Sequence, residues 1–464
     1  MPETRVAVQD EILGWILDGN RDAALKKILW VTGPAGTGKT AILGTIADNY
    51  KEMGMLGASF FFSSFSGSAD RRSKHRLIPT LAYQLLQHET LKEAGADTAA
   101  QEIISRDPAV LKKRLQAQLD ALILDPLRVV ARRHEDERSQ SYAPLTILVD
   151  GLDECDLTED DNRERRGPPR SKEDDQREIL SVLLRAATSP VFPFSVIIAS
   201  RPEQVIRDFF DTTGKDHTRV IFLDESYNPD ADIRLFYNSK FSSIRRIYGL
   251  PEDWPGKETV ELLVENASGQ FVYAATTIRF IEGAMIRTAS SHGQNWSGLT
   301  TPDQRLKRVL QLRPIPEPNR GSPKPFERLD ILYRSIIETC PDPLLSIKWL
   351  RIISILRTYP PEYTQAGGRP APCWLVRLIL EISRGDGHFA LGTLASLLTE
   401  KSCNGDGLSD NRRPYITYSF YHKSLLDFLD DPVRCGNLFV PLKYVRDFFT
   451  RRFFQTLNHR KISI

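Results

Sequence analysis

The chain has 464 residues, of which 41% are hydrophobic and 26% charged, so we expect two to four globular domains. A formal net charge of +2 gives no reason to expect a nucleic-acid or membrane-surface partner, and no apolar stretch reaches the roughly 18 residues of a membrane span. Five scattered cysteines without zinc-ligand spacing and a start that lacks signal-peptide features favour a reducing compartment, which we expect to be the cytoplasm.

The first half of the chain alternates strand and helix patterns. Helical patterns lie at 9–18, 41–47, 77–87 and about 90–120. Short apolar runs typical of buried strands lie at 28–31, 58–62, 145–149, 194–200 and 219–223. This alternation predicts an α/β fold with a parallel sheet flanked by helices. Residues 156–178 mix acidic and basic side chains, and we expect a charged, disordered insertion there.

After about residue 226 the strand pattern stops and helices predominate. Helical patterns lie at 232–241, 257–267, 270–284, 326–356 and 389–399. A proline-rich piece at 314–318 predicts a linker. The order of a helix, a loop at 405–413 and a strand at 415–420 favours a winged-helix unit.

A full G-x-x-x-x-G-K-[ST] pattern follows the first strand run and opens a helical run. Its residues, with the one after it, are Gly33, Pro34, Ala35, Gly36, Thr37, Gly38, Lys39, Thr40 and Ala41. Glycines let backbone N–H groups curl around an anion at a helix N-terminus, which predicts a phosphate-binding loop. Lys39 is then expected to reach the β- and γ-phosphates, and the Thr40 hydroxyl to hold Mg²⁺. The alternative is a chance glycine-rich turn.

The apolar run 145–149 ends in an acidic cluster. Asp150, at the carboxyl end of this strand, is placed to hold the Mg²⁺ shell. Asp153 or Glu154, one turn further, could polarise the water that attacks the γ-phosphate. An acidic surface turn is the alternative. Cys155 next to them fits a small buried residue better than a nucleophile.

Two more positions are candidates for nucleotide contacts. Arg201 follows a strand that, in P-loop ATPases with an inserted strand, lies between the P-loop strand and the acidic strand, where its fork could bind the γ-phosphate. An ordinary surface arginine before a proline is the alternative. His422 stands at a strand-to-helix junction, where spacing alone favours a structural or capping histidine.

Together these motifs resemble the NACHT family of STAND-class signalling NTPases, in the form abundant in fungi and also called nephrocystin-like. The matching segments are 30–41, 149–155, 198–202, 267–276 and 422–429, so the resemblance extends from about residue 10 to 440. It implies a nucleotide-binding domain at 1–225, a helical domain at 226–325, a winged-helix-like domain at 326–445 and a tail at 446–464. It also implies that His422 touches the β-phosphate of ADP.

The resemblance implies a switch that closes over ADP, opens with ATP and then self-associates or joins related NACHT proteins. We therefore expect ATP or ADP with Mg²⁺ as cofactors, weak ATP hydrolysis, catalysis by Asp153, Glu154 and Arg201, and a role of the innate-immunity or heterokaryon-incompatibility kind. Family members normally carry an effector domain before this core and repeats after it, and the sequence shows neither. The alternatives are a constitutive AAA+-like remodelling ATPase and a truncated regulatory scaffold.

Overall fold

The computed structural model of the chain describes residues 4–18, 26–64, 69–133, 145–157, 170–283, 301–312, 325–358, 371–403 and 415–460. Two compact units divide the chain, Met1–Tyr227 and Asn228–Ile464. The predicted boundary after residue 225 lies within two residues of this division, while the boundaries predicted at 325 and 445 stay predictions. No helix in the described ranges combines the length and apolar character needed to cross a bilayer.

The first unit alternates strands with helices. Its elements are α1 Val6–Asp18, β1 Ile28–Thr32, α2 Lys39–Glu52, β2 Leu56–Phe61, α3 Leu77–Gln87, α4 Glu89–Glu93, α5 Ala96–Arg106, α6 Leu115–Leu119, α7 Asp125–Arg133, β3 Thr146–Asp150, α8 Lys172–Thr188, β4 Ser195–Ser200, α9 Gln204–Asp211 and β5 Thr218–Phe222. A π-helical turn, Asp120–Leu124, joins α6 to α7. All five predicted strands are present.

The five strands form one parallel sheet in the order β2-β3-β4-β1-β5. The strand β4 therefore lies between β1 and β3, as the sequence predicted for the strand that ends before Arg201. Strand residues alternate between the two faces because the side-chain period of a strand is two. One face packs on α1 and α2 and the other on α3, α8 and α9, so β1, β3 and β4 are buried on both faces, whereas the edge strand β5 is partly exposed.

The prediction of a disordered insertion at 156–178 is wrong for its last part. Residues 158–169 lie outside the described residues, but α8 already begins at Lys172. Ser171 caps this helix in a capping box with Asp174, which satisfies the orphan N–H groups of the first turn. The charges beyond them are paired rather than solvated, since Asp175 accepts a hydrogen bond from Lys74. A high charge density therefore did not mean disorder here.

The second unit is mainly helical. Its elements are α10 Pro229–Tyr248, α11 Lys257–Ala267, α12 Phe271–Glu282, α13 Pro302–Leu310, α14 Glu327–Ile337, α15 Pro343–Thr358, α16 Cys373–Leu380, α17 Asp386–Leu391, β6 Leu398–Cys403, β7 Tyr415–Phe420, α18 Lys423–Asp430, α19 Pro432–Cys435 and α20 Leu442–Arg460. The predicted tail at 446–464 is thus helical as far as Arg460, and the predicted linker at 314–318 lies outside the described residues.

A winged-helix unit lies within this helical series. Strands β6 and β7 pair antiparallel, and an isolated bridge joins Pro372 to Thr417, so the order is helix, bridge, two helices and a hairpin. The predicted strand 415–420 is confirmed. The predicted helix 389–399 is wrong beyond Leu391, because Gly392 ends α17 and Leu398 already pairs with Phe420 in the hairpin.

Candidate functional site

The carboxyl ends of three strands meet at one edge of the sheet. Thr32 on β1 is in register with Ser200 on β4, and Ala199 is in register with Asp150 on β3. The loops that leave these strands are the phosphate-binding loop, the segment with Arg201 and the acidic turn. Parallel strands place such loops side by side, and this edge is where open α/β sheets bind ligands.

The phosphate-binding loop has the backbone conformation that its glycines predict. Gly36 and Gly38 have φ values of 86° and 90°, in the left-handed region that side-chain-bearing residues rarely adopt. Gly38 is the N-cap of α2, so the first-turn amides of this helix open directly onto the loop. Inside the loop, the Thr37 hydroxyl donates to the Pro34 carbonyl at 3.1 Å. This geometry is that of an anion cradle at a helix N-terminus.

Lys39 folds back over this cradle. Its Nζ donates to the carbonyl oxygens of Gly33 and Pro34 at 2.6 and 2.8 Å. Burial lowers the pKa of Lys39 to about 8, while Asp153 opposes this shift and Arg201 adds to it. A desolvated cation held by neutral carbonyls gains most from an anionic partner. The loop therefore fits a phosphate group.

Thr40 and Asp150 form the second part of the site. Burial of the Asp150 carboxyl raises its pKa to about 7, and the nearby Thr40 side chain acts in the opposite direction. A hydroxyl and a carboxylate side by side supply the oxygen ligands that Mg²⁺ prefers. Within the described ranges no three His, Cys, Asp or Glu side chains converge as a metal cage. Mg²⁺ here would take its other ligands from phosphate and water, as is usual for this ion.

Gly151 keeps the turn after Asp150 tight against β2. Its φ is 69°, and its N–H donates to the Ala199 carbonyl at 2.9 Å. A Cβ atom at this position would lie 2.8 Å from the Phe62 carbonyl oxygen. Glycine is therefore required here for both backbone conformation and space.

The two carboxylates predicted to orient water have different surroundings. Asp153 is buried and accepts a hydrogen bond from the Arg201 backbone N–H at 2.9 Å, while Arg201 Nε lies 3.4 Å from its other oxygen. Glu154 accepts from the backbone N–H and the hydroxyl of Ser64, at 2.9 and 3.2 Å. Asp153 thus holds the Arg201 loop against the acidic turn. No sequence motif pointed to Ser64, which comes from the loop after β2.

His422 lies in the second unit as the N-cap of α18. Its Nδ1 accepts from the Ser424 backbone N–H at 3.1 Å and lies 2.7 Å from the Ser424 hydroxyl. The Tyr333 hydroxyl lies 2.7 Å from the same serine oxygen. Because Nδ1 accepts from a backbone donor, a neutral ring carries its proton on Nε2. This is the capping role that spacing favoured, and the contact with ADP stays a prediction.

Cys155, directly after the acidic cluster, is confirmed as a buried residue. It is fully shielded from solvent, and burial raises its pKa far above the ordinary value. A thiol in this state is unreactive.

A comparison with protein families gives one match. The family model described as Nephrocystin 3, N-terminal, matches residues 8–201, which include the phosphate-binding loop, the acidic turn and Arg201. No curated protein matches the sequence.

Several solved structures resemble the chain at low similarity. They include the Drosophila ORC bound to DNA (14% identity, TM-score 0.36, covering 100% of this chain and 96% of that one) and Cdc6p from Pyrobaculum aerophilum (13%, 0.33, 98% and 96%). A third is the ADP form of the Aeropyrum pernix ORC2 protein (11%, 0.33, 96% and 93%). At TM-scores below 0.5, these likenesses carry no conclusion about what this chain binds or does.

Proposed function

We propose that the chain, whose residues 8–201 match the Nephrocystin 3, N-terminal family, is a NACHT-like P-loop NTPase that works as a switch operated by ATP and ADP with Mg²⁺. The observation that carries the proposal is the convergence of Lys39, Thr40 and Asp150 at one sheet edge. In this site Lys39 and the amides of the loop hold the phosphates. Thr40 and Asp150 hold the metal, which supplies charge neutralisation for the phosphates when bound.

The remaining charged residues define the response to the γ-phosphate. Arg201 is held beside Asp153 and contributes to the electrostatic surroundings of Lys39, so its positive charge would also act on a phosphate bound there. Glu154 and Asp153 remain the two candidates for orienting water. A switch needs a ligand that discriminates between two conformations, and a contact made only by the terminal phosphate supplies that difference.

Signalling by a conformational change or by self-association is the outcome that the resemblance implies, and it belongs to this proposal. Slow hydrolysis distinguishes a switch from the alternative, a constitutive remodelling ATPase. We expect steady-state turnover well under the enzyme median of about 10 per second. Turnover at or above that median, dependent on a neighbouring subunit, would favour the remodelling ATPase.

The direct test is to identify bound nucleotide in the purified full-length chain and to titrate it with Mg-ATP and Mg-ADP. Lys39→Ala removes a charged contact to phosphate, which is worth enough to lower affinity by about 100-fold. The matched control is Lys51→Ala, an exposed lysine at the other end of the same helix, which should leave affinity unchanged. Equal affinities for the two variants would reject the assigned site.

A further inference from the structure

Hydrogen bonds hold the segment after β4 at both the N–H and the carbonyl of Arg201. On one side, the Arg201 N–H donates to Asp153. On the other side, the Glu203 N–H donates to the Arg201 carbonyl at 2.9 Å, which makes a tight turn around Pro202. The position of Arg201 therefore depends on where Glu203 is held.

The Glu203 side chain is held by α8 rather than by its own helix. It occupies the N-cap position of α9, but its side chain makes no capping hydrogen bond. Instead its carboxylate accepts from Lys172 Nζ at 3.1 Å and from Gln176 Nε2 at 3.0 Å. Lys172 and Gln176 are four residues apart and thus lie on one face of α8. The Glu203 side chain therefore contacts α8 instead of capping α9.

The start of α8 is itself fixed by buried charges. Lys74 Nζ lies 2.6 Å from Asp175 and 2.9 Å from Glu178, and Arg170 Nε lies 3.0 Å from Asp175. Lys74 and Asp175 are 3% and 0% exposed, so water does not compete for this pair. Gln176, which donates to Glu203, is the neighbour of Asp175 and is also fully buried. The hydrogen bonds to Glu203 therefore come from a part of α8 that buried ion pairs hold in place.

We propose that Glu203 is a positioning residue, which transmits the fixed location of α8 to Arg201 and so sets the guanidinium where a γ-phosphate is recognised. This role rests on the proposed nucleotide switch. Through Arg201, Glu203 would help the site to discriminate between a triphosphate and a diphosphate. Because Glu203 and Lys172 are only partly shielded, their ion pair adds little to stability. Its effect is geometric, and small displacements of a binding group lower recognition strongly.

The test compares Glu203→Ala with Glu173→Ala, which removes the same charge from an exposed position on the first turn of α8. In Glu203→Ala we expect affinity for the analogue ATPγS to fall about tenfold while ADP affinity stays within about twofold. Glu173→Ala should change neither affinity. The charge swap Lys172→Glu with Glu203→Lys should restore most of the affinity for ATPγS, because the pair is rebuilt in reverse.

A nucleotide-free measurement separates this inference from the proposed function. Hydrogen exchange at the Arg201 amide, which is bonded to Asp153, should become about tenfold faster in Glu203→Ala and stay unchanged in Glu173→Ala. Unchanged exchange, or an equal loss of ATPγS and ADP affinity, would overturn the positioning role. A wild-type chain that binds neither nucleotide would instead contradict the proposed function.

Discussion

Replacing Gly151 with alanine tests whether the acidic turn depends on close packing against β2. Two costs apply at this position. An alanine at a φ of 69° is strained by about 1–2 kcal/mol. Its Cβ would also meet the Phe62 carbonyl oxygen at 2.8 Å. Phe62 cannot retreat freely, because its N–H donates to the Asp150 carbonyl at 2.9 Å.

The chain provides a matched control at the end of α2. Gly54 has a φ of 68°, nearly the same as Gly151, and a Cβ there would have no neighbour within 4 Å. Gly54→Ala therefore carries only the backbone strain. The extra contact in Gly151→Ala should add about 1–3 kcal/mol, as overpacking does in other cores. The difference in stability between the two variants therefore measures the cost of the close contact without the backbone strain.

Native-state hydrogen exchange of the β3 amides at increasing urea measures this difference as an opening free energy. In a thermal scan, each kcal/mol should lower the melting temperature of a unit of this size by about 2–4 °C. Gly151→Ala should also weaken Mg²⁺-dependent binding, since the displaced turn carries Asp150, whereas Gly54→Ala should not. If both variants lower the stability of β3 equally, the turn has room to relax and the reasoning is wrong.

Three further predictions concern buried polar groups. The protonated lysine is the form that attracts phosphate, and the pKa of Lys39 is lowered to about 8. Affinity for Mg-free ADP should therefore fall about fivefold as pH rises from about 8 to 9, above the Asp150 pKa of about 7, and Lys39→Arg should be flat over that range in the same titration. Lys74→Met should cost about 3 kcal/mol by urea unfolding, because it removes one of the two cations, Lys74 and Arg170, that lie against the buried Asp175 carboxylate. Adding Asp175→Leu should recover most of this cost, and a double variant no more stable than the single one contradicts the prediction. Tyr333→Phe should lower the free energy of unfolding by about 1 kcal/mol, measured by calorimetry, because it removes a buried hydrogen bond. Tyr83→Phe, at an exposed position, should leave the free energy of unfolding unchanged, and equal values for the two variants would refute the prediction.

Local patterns predicted the framework of the first unit well. Every strand of the sheet was visible as a short apolar run. In β1, β3 and β4 the reason is burial on both faces, which requires apolar residues at consecutive positions. The helix α3 was predicted with its observed bounds. The failures came where distant residues decide the outcome. The last part of the predicted insertion, 172–178, is instead the start of α8, where Lys74 from a distant segment pairs with Asp175.

The hairpin of the winged helix shows a second kind of failure. Half of the residues at 392–399 are apolar, in an arrangement that suits a helix as well as a strand, so the sequence analysis extended the helix through them. The partner strand β7 decides between the two states, since the pairing of Leu398 with Phe420 begins the hairpin. Periodicity cannot distinguish short apolar runs of this kind.

The sequence alone determined the phosphate-binding loop. Its glycines with positive φ, its lysine and the start of its helix are local properties of eight residues. It also placed Asp150 at a strand end and Arg201 at another. Only the tertiary structure decided that Asp150 meets Thr40, that Asp153 holds the Arg201 amide and that α8 holds Glu203. Those contacts depend on strand order and register, which bring side chains from distant segments together and remove them from water, and burial rather than residue type then sets their pKa values.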